Sequence, residues 1–286
     1  MAIMKILVTG AKGQLGRALI ECSRQTSNKE WVFIDVEELD LTEKDQVDRY
    51  IRKIKPTWII NTAAYTKVDQ AESDSKRAFK INASAVKTIA DAALEVNASL
   101  LHISTDFVFD GKKSSPYAET DITAPLSVYG QSKREGEVFA EKSGVPGVII
   151  RTSWLYGSRG ENFVETMLRL GKEKKEIGVV SDQIGTPTWA DDLAKAIMTI
   201  VEDYQKKEMS LFHYSSAGVA SWYDFAHAVI EYSGCNCRIK PIKTIEYPLP
   251  AQRPTYSVLD TSKIQKEFKI EIPHWRDSLK QYIQSR

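Results

Sequence analysis

The chain has 286 residues, of which 42% are hydrophobic, so it can form one large domain or two smaller ones with a buried core. Its 39 basic and 38 acidic residues are interspersed and leave a formal net charge of +1. This balance gives little electrostatic support for binding nucleic acid or an anionic membrane. We therefore expect a globular protein whose partner is a small molecule.

The sequence shows no obvious targeting or membrane segment. The apolar stretch at residues 1–7 is too short for a secretory signal, and no apolar run approaches the roughly 20 residues of a membrane span. The three cysteines, an odd number, indicate free thiols in a reducing compartment. The four histidines lack the spacing of metal ligands. We expect a cytoplasmic protein without a catalytic metal.

A glycine-rich turn near the N-terminus is typical of a dinucleotide site. The apolar run at residues 5–9 ends at Gly10, Gly13 and Gly16, and a helical pattern follows. A strand, turn and helix of this kind bring backbone amides close to a pyrophosphate. Such a turn can also be only a turn. A second apolar run, however, ends at Asp35, where a carboxylate can accept hydrogen bonds from an adenosine ribose.

The preferred dinucleotide stays open at this point. Asp35 favours the unphosphorylated ribose of NADH, because its carboxylate repels a phosphate. Lys12 and Arg17 lie nearby in the sequence and are able to accommodate the 2′-phosphate of NADPH. The sequence therefore predicts NADPH or NADH as cofactor.

A tyrosine and a lysine four residues apart, Tyr129 and Lys133, fall on one face of a predicted helix. A free phenol has a pKa of about 10, and a nearby ammonium lowers it, which makes Tyr129 a candidate general acid. Pairs with this spacing also occur by chance in many helices. The surrounding motifs decide between the two interpretations.

Strand-like and helix-like runs alternate along the chain, which predicts an α/β fold of the Rossmann type, a doubly wound parallel sheet. The predicted strands are residues 5–9, 31–34, 58–61, 100–104, 148–151 and 177–180. Helices are predicted over residues 42–53, with Thr42 as a cap-like residue, and over residues 73–96.

Polar residues follow three of the predicted strands, at residues 61–64, 104–106 and 151–154. Ligands of open α/β sheets bind beyond the carboxyl ends of the strands, so these segments are expected to meet in one crevice. Each segment taken alone is also ordinary turn or cap chemistry. Their occurrence together with the glycine turn and the Tyr129–Lys133 pair favours a single site.

Prolines become concentrated and the strand rhythm weakens after about residue 156. We predict an NAD(P)-binding domain at residues 1–155 and a smaller, mainly substrate-binding C-terminal lobe at residues 156–286. A segment near residues 188–215, beginning with a helix over residues 188–204, is expected to return to the first domain. Arg253 is a candidate for a bidentate contact with a substrate diphosphate, and a solvated surface arginine is the alternative.

Seven segments, spread over nearly the whole chain, resemble the dTDP-4-dehydrorhamnose reductase family of the extended short-chain dehydrogenases. They are Gly10-x-x-Gly13-Gln14-Leu15-Gly16, Asn61-Thr-Ala-Ala-Tyr-Thr-x-Val-Asp-x-Ala-Glu72, Ser104-Thr-Asp-Phe-Val-Phe109, Tyr129-Gly-x-x-Lys133, Arg151-Thr-Ser-Trp154, Asp182-Gln-x-Gly-x-Pro-Thr188 and Arg253-Pro254. The glycine turn and Tyr-x-x-x-Lys are shared by many enzymes. The segments at residues 64–72 and 151–154 are much more specific.

The resemblance implies reduction of the C4 ketone of dTDP-6-deoxy-L-lyxo-4-hexulose to dTDP-L-rhamnose. Tyr129 would protonate the forming alkoxide, Lys133 would hold the nicotinamide ribose and lower the pKa of Tyr129, and Thr105 would bind the carbonyl oxygen. The resemblance places Val68, Asp106 and Trp154 against the sugar. It places Gly13, Gln14, Leu15, Asp35, Asp40, Leu41, Ala63, Ala64 and Tyr65 along the cofactor, beside Gly10 and Gly16 of the turn.

Some members of this family form a dimer around magnesium held by glutamates, one of them just after the glycine turn. Here Arg17 and Ala18 follow the turn, without a carboxylate. Asp191 matches a second ligand, but residues 281–286 offer no clear third. We predict no magnesium-bridged dimer, which leaves a monomer or a metal-independent homodimer.

Other functions on this scaffold stay open. A dehydratase usually has Asp-Glu after the threonine, whereas Thr105 is followed by Asp106 and Phe107. An epimerase consumes no net reduced cofactor. A non-catalytic subunit, like the regulatory subunit of methionine adenosyltransferase, is the alternative from another class. The choice between dTDP and UDP sugars, and the polysaccharide that receives the product, are also open.

Overall fold

A computed structural model describes residues 3–26, 28–158 and 160–286, so residues 1 and 2 of the N-terminal apolar stretch lie outside the described part. The strands are β1 (Met4–Thr9), β2 (Lys29–Ile34), β3 (Trp58–Asn61), β4 (Ser99–Thr105), β5 (Gly147–Thr152), β6 (Leu155–Tyr156), β7 (Glu176–Val180), β8 (Ile184–Gly185), β9 (Thr188–Trp189), β10 (Met209–His213), β11 (Ala220–Ser221) and β12 (Arg238–Ile242).

The α-helices are α1 (Gln14–Ser23), α2 (Lys44–Ile54), α3 (Val68–Ala71), α4 (Ser75–Phe79), α5 (Ala85–Glu95), α6 (Val128–Lys142), α7 (Phe163–Glu173), α8 (Ala190–Asp203), α9 (Trp222–Ser233), α10 (Ser262–Phe268) and α11 (Trp275–Gln284). A π-helical turn, Lys80–Ser84, joins α4 to α5. Short 3₁₀ turns occur at Asp106–Val108 and Thr244–Glu246.

The central sheet of the described chain has six parallel strands in the order β10-β5-β4-β3-β1-β2. β1 lies between β2 and β3, with Thr9 opposite both Ile34 and Asn61. The strand order reverses at β1 and β3, and the crevice outside their carboxyl ends is where such sheets bind ligands. The predicted Rossmann-type doubly wound sheet is confirmed.

Helices cover both faces of this sheet, which explains why its inner strands are mostly apolar. On one face α1, α8 and α10 bury residues such as Leu19 and Ile197 against Ile60. On the other face α2, α5 and α6 bury residues such as Ile51 and Ile89. Each such side chain contributes about 1.5–3 kcal/mol on burial, so the two layers fix the edge of the sheet that carries the cleft.

The prediction for residues 177–180 is wrong about their place in the sheet. These residues form β7, which pairs with β12 in a separate two-stranded parallel sheet. Its alternation of buried Ile177 and Val179 with exposed Gly178 is typical of a strand covered on one face only. The sixth strand of the central sheet is β10, which pairs with β5 after α8 has packed on α1 and the sheet.

Two helix predictions need correction in detail. The helix predicted at residues 42–53 is α2, but Thr42 does not cap it, because its hydroxyl donates to Asp40 Oδ1 at 2.7 Å. The stretch at residues 73–96 is helical, but the π-helical turn interrupts it. The helix predicted at residues 188–204 is α8, whose first residue is Ala190.

The C-terminal half has a hydrophobic cluster of its own, separate from the two layers of the central sheet. Helices α7, α9 and α11 pack around Tyr156, Phe225 and Leu279, which are almost fully buried. β7 and β12 cover one side of this cluster through Ile177 and Ile239. Within the described residues, no helix combines the length and the apolar character needed to cross a bilayer.

Candidate active site

A cleft of about 890 Å³ opens at the carboxyl ends of the central strands, between the glycine turn and the C-terminal half. It is lined by these predicted site residues: Gly10, Gly13, Gln14, Leu15, Asp35, Asp40, Leu41, Ala63, Ala64, Tyr65, Val68, Thr105, Asp106, Tyr129, Lys133, Trp154 and Arg253. Gly16 is buried behind the turn instead. The structure thus gathers the predicted residues at one cleft, while their individual roles stay predictions.

The glycine turn forms the cofactor end of the cleft. Gly10 has a φ of 71°, and a Cβ on it would lie 2.7 Å from the backbone nitrogen of Ala63. Glycine therefore lets the turn lie directly on the end of β3. The amide of Gly13 donates to Gly10 O at 3.0 Å, and α1 begins at the next residue with its N-terminus at the cleft. Such a terminus attracts an anion.

Asp35 ties the end of β2 to the glycine turn. Its Oδ2 accepts from the backbone nitrogen of Lys12 at 2.7 Å, and its Oδ1 accepts from Val36 N at 2.8 Å. Each carboxylate oxygen keeps a lone pair for a further donor. The ammonium of Lys12 pairs with Glu37 at 2.8 Å, and that hydrogen bond, with the charges of Glu38 and Asp35, raises the pKa of Lys12.

Tyr129 is brought to the cleft by the start of α6. The Ser127 side chain caps the helix by accepting from Gly130 N at 3.2 Å, and Glu72 Oε1 accepts from Val128 N at 2.9 Å. A Cβ on Gly130 would overlap the backbone oxygen of Phe107, so glycine is what allows α6 to touch the turn after β4. Thr105 lies at that turn, and this is why the tyrosine reaches it.

The phenol of Tyr129 lies at the cleft beside the hydroxyl of Thr105. That hydroxyl donates to Asp106 Oδ1 at 3.1 Å and accepts from Phe107 N at 3.2 Å. Burial raises the pKa of Tyr129 to about 12, the nearby hydroxyl of Thr105 opposes the rise, and the Asp106 charge adds to it. The phenol therefore holds its proton at neutral pH, as a proton donor must.

Lys133 is buried one helical turn further along α6. Its Nζ donates to Ile103 O at 2.6 Å and lies 3.5 Å from His102 Nε2. Burial lowers the pKa of Lys133 to about 8, and the charge of Glu137 opposes that shift. The expectation that Lys133 lowers the pKa of Tyr129 does not hold in this structure, because burial of the phenol outweighs every other influence on it.

Asp106 is a buried carboxyl, 1% exposed, beside Thr105. Burial raises its pKa to about 6, although hydrogen bonds to the carboxylate oppose the rise. Within the described chain, Asp106 Oδ2, Ser104 Oγ and Thr152 Oγ1 are buried without a hydrogen-bond partner. All three residues line the cleft. Buried polar atoms are normally paired, so these atoms indicate a surface prepared for a ligand.

A buried ion pair behind the cleft was missed in the sequence. Arg151, at the end of β5, donates from Nε and Nη2 to the two carboxylate oxygens of Glu137, both at 2.8 Å. Both side chains are almost fully buried. Glu137 lies four residues after Lys133, on the inward face of the helix. This position is the only sequence feature that could have indicated the ion pair. The pair fixes α6 against β5.

The opposite wall of the cleft is aromatic. Trp154 stacks on Trp222 with ring centroids 3.6 Å apart and planes 6° from parallel, and Phe163 lies 4.7 Å from Trp222. Trp154 has a φ of 45°, an unusual backbone conformation for a bulky residue. Sequence reasoning found Trp154 but missed Trp222 and Phe163, because aromatic residues at helical spacing usually indicate only a core.

Arg253 lines the cleft and is engaged by a residue that the sequence analysis did not single out. Its two Nη atoms donate to the carboxylate of Asp69, and its side chain is 19% exposed. It is therefore not a freely solvated surface arginine. In the described residues no group of three or more His, Cys, Asp or Glu side chains is arranged to hold a metal ion.

The parallel sheet, the glycine turn and the Tyr129–Lys133 helix at one cleft define a Rossmann-type oxidoreductase of the short-chain dehydrogenase kind. The sequence profile of the family described as RmlD substrate binding domain matches residues 4–286. A dTDP-4-dehydrorhamnose reductase from Aggregatibacter actinomycetemcomitans is 43% identical over 285 residues, covering 96% of this chain and 97% of the relative. The chain belongs to the dTDP-4-dehydrorhamnose reductase family, which confirms the resemblance seen in the motifs.

Solved structures agree with this assignment. A dTDP-4-dehydrorhamnose reductase from Clostridium acetobutylicum is 42% identical, with a TM-score of 0.94 and 99% of each chain covered. One from Bacillus anthracis, solved in complex with NADP, is 37% identical, with a TM-score of 0.94 and 100% of each chain covered. The similarity extends over the whole chain, so it includes both walls of the cleft.

Proposed function

We propose that this protein reduces the C4 ketone of dTDP-6-deoxy-L-lyxo-4-hexulose to dTDP-L-rhamnose, with NADPH or NADH as reductant and Tyr129 as proton donor. The observation that carries the proposal is the placement of Tyr129, Thr105 and Lys133 together in the cleft, with burial keeping the phenol protonated. Family membership supports the substrate, since the relatives named above are dTDP-4-dehydrorhamnose reductases.

The cofactor end of the cleft fits a dinucleotide. The turn at Gly10 and the N-terminus of α1 present backbone amides to a pyrophosphate, and the partnerless hydroxyls of Ser104 and Thr152 offer polar contacts deeper in the cleft. The residues that would hold it are Gly10, Gly13, Gln14, Leu15, Asp35, Asp40, Leu41, Ala63, Ala64, Tyr65, Tyr129 and Lys133. When bound, the reduced nicotinamide supplies the hydride for C4.

In the proposed reaction the proton comes from Tyr129. Its phenol donates to the oxygen at C4 as negative charge develops there, a contribution of about 10²–10⁴-fold for a general acid. Thr105, whose hydroxyl now donates to Asp106, turns its hydrogen to the same oxygen and stabilises the charge. Lys133 is cationic below about pH 8, and in this form it would hold the ribose hydroxyls.

Both parts of the chain contribute to the substrate side of the proposed site. Trp154, held flat by Trp222, packs against the sugar together with Val68, and Asp106 binds a sugar hydroxyl. Arg253 contacts the diphosphate. In this arrangement residues 1–155 act mainly as the cofactor domain and residues 156–286 mainly as the substrate lobe.

The decisive test is oxidation of NADPH and of NADH by the purified protein with dTDP-6-deoxy-L-lyxo-4-hexulose. We expect stoichiometric oxidation, at least about 100-fold slower in Tyr129→Phe even at saturating cofactor. Tyr232→Phe is the matched control, because this hydroxyl contacts Arg276 on α11 and is absent from the cleft lining. Bound cofactor without oxidation would contradict reduction and favour an epimerase. Co-purification with a synthetase would favour a regulatory subunit.

A further inference from the structure

Asp69 and Arg253 form a two-bond ion pair at the edge of the cleft. Arg253 Nη1 donates to Asp69 Oδ1 at 3.0 Å, and Nη2 donates to Oδ2 at 2.7 Å. Nη1 also donates to Ala251 O at 2.9 Å, and Ala251 N donates to Asp69 Oδ1 at 3.1 Å. The carboxylate on α3 therefore fixes both the guanidinium and the backbone of the loop that carries it.

The remaining donors of Arg253 define a direction. A guanidinium has five N–H groups in one plane, and three of them are used by Asp69 and Ala251. The two that remain, on Nε and on the outer side of Nη2, lie along a single edge of the plane. Within the described chain neither of them has an acceptor among the hydrogen bonds of Arg253. Two parallel N–H groups are the geometry that binds two oxygens of one phosphate.

We infer that Asp69 is a positioning residue for substrate binding: it holds the guanidinium of Arg253 so that the Nε–Nη2 edge receives the diphosphate of the nucleotide sugar. The inference rests on the proposed function, in which Arg253 contacts that diphosphate. It gives a task to an acidic residue of the segment at residues 64–72, one of the two most specific to the family.

Asp69 has two opposing effects on diphosphate binding, and their relative sizes decide whether it strengthens or weakens that binding. Its negative charge cancels part of the attraction between Arg253 and a diphosphate. Against this, an arginine that is already ordered spares the loss of rotamer freedom on binding, which is worth about tenfold in affinity. The pair is partly exposed, 19% and 35%, so solvent weakens the charge repulsion while the hydrogen bonds keep the geometry. We therefore expect the gain from an ordered Arg253 to exceed the repulsion between Asp69 and the diphosphate.

The end of the same short helix also reaches the segment next to Tyr129. Glu72, three residues after Asp69, accepts from Val128 N at 2.9 Å, next to Tyr129. Thus Asp69 on α3 contacts the arginine, and Glu72, which caps the end of α3, contacts the start of α6. This arrangement keeps the distance between the phosphate contact and Tyr129 fixed, which is what places a reacting carbon opposite a proton donor.

The test is binding of dTDP, and of thymidine without phosphates, to the full-length protein saturated with NADP⁺, measured by isothermal titration calorimetry. The variants are Asp69→Asn, Arg253→Ala and the double variant. Glu173→Gln is the matched control, since it removes a carboxylate from an exposed pair with Arg169 on α7. Thermal unfolding of each NADP⁺-bound variant verifies that the fold is intact.

We expect Asp69→Asn to weaken dTDP binding about tenfold and to leave thymidine and NADP⁺ binding unchanged. On the Arg253→Ala background the same substitution should have no further effect, because its target is gone. A merely structural role would change all three ligands together. Unchanged or tighter dTDP binding in Asp69→Asn would overturn the inference, the latter showing that Asp69 competes with the diphosphate.

Arg253→Lys is a second, independent test, because it keeps the charge and removes the planar fork. We expect dTDP binding close to that of Arg253→Ala, and wild-type affinity would contradict the positioning role. These outcomes are distinct from failure of the proposed function. A wild-type protein that binds no dTDP contradicts the dTDP-sugar assignment itself, whereas binding that is insensitive to Asp69 contradicts only the inference.

Discussion

Lys133 donates a hydrogen bond from Nζ to the backbone oxygen of Ile103 at 2.6 Å. The lysine lies on α6, four residues after Tyr129, and Ile103 lies on β4, two residues before Thr105. The bond therefore ties the helix that carries Tyr129, the proposed proton donor, to the strand that carries Thr105. Since burial lowers the pKa of this lysine to about 8, its charge changes close to physiological pH.

The first prediction is an alkaline limit on catalysis. Lys133 is cationic below its pKa of about 8, so kcat/KM for the cofactor should be constant below that pH and fall as the pH rises through it. The pH profile of the wild type measures this. In Lys133→Arg the limit should move upward or vanish, because a guanidinium stays charged, even if the absolute rate drops. An identical limit in both proteins would assign it to another group.

The contribution of Asp106 to folding stability should change with pH in the direction opposite to that of most carboxylates. Its pKa rises on folding from 3.8 to about 6, so between these values the folded state binds the proton more tightly. The stabilising contribution is complete below pH 3.8 and is lost as the pH rises to about 6, a change of about 3 kcal/mol. We expect Asp106→Asn to be more stable at neutral pH and to bind substrate more weakly.

Urea unfolding as a function of pH measures this contribution of Asp106. Asp110→Asn is a useful contrast, because hydrogen bonds from Lys112 N and Tyr117 lower the pKa of Asp110. That carboxylate stabilises the fold at neutral pH and loses its contribution under acid, so its removal should act in the opposite direction. If Asp106→Asn behaves like Asp110→Asn, the burial cost assigned to Asp106 is wrong.

Local patterns were enough to predict much of the site. Helical spacing alone places Tyr129 and Lys133 on one face, and the strand ends place Thr105 and the glycine turn at the same edge of the sheet. These predictions succeed because the residues that each one relates are a few positions apart, or occupy equivalent positions in a repeated strand and helix unit. The fold class followed from the same short-range signals.

Features that depend on distant pairing were not predictable in this way. Asp69 and Arg253 are 184 positions apart, and no local pattern marks either as the partner of the other. β7 pairs with β12, about sixty residues further along, which a single apolar run does not show. The pKa of Tyr129 was misjudged for a related reason: spacing gives the nearby cation, whereas the dominant burial comes from the tertiary fold.

For the buried pair of Glu137 and Arg151, removing one partner should destabilise the fold much more than replacing both. Glu137→Gln leaves the Arg151 guanidinium buried without its counter-charge, which typically costs about 3–5 kcal/mol. The double variant Glu137→Leu, Arg151→Met should cost much less, since no charge remains buried. Urea unfolding of both variants measures the difference.

The control for this pair is Glu141→Gln on the same helix. Glu141 accepts from Arg134 at the exposed end of the helix, so its removal should change stability by less than about 1 kcal/mol. A Glu137→Gln variant as stable as Glu141→Gln would show that water or another group compensates Arg151.

The pairing of Glu37 with Lys12 should disfavour NADPH relative to NADH, and removing the Glu37 charge should shift the preference toward NADPH. Its carboxylate pairs with the Lys12 ammonium at 2.8 Å beside Asp35, so an added 2′-phosphate meets a lysine that is already engaged. Glu37→Gln frees Lys12 and removes a like charge, and the ratio of kcat/KM for NADPH to that for NADH should rise severalfold.

The side chains of Lys12 and Glu37 are both exposed, so the effect of Glu37→Gln should shrink as salt shortens the Debye length below about 10 Å. Glu21→Gln, which breaks an exposed pair with Arg24 just after α1, should leave the ratio unchanged. An unchanged ratio in Glu37→Gln at low salt would mean that the 2′-position does not approach Lys12.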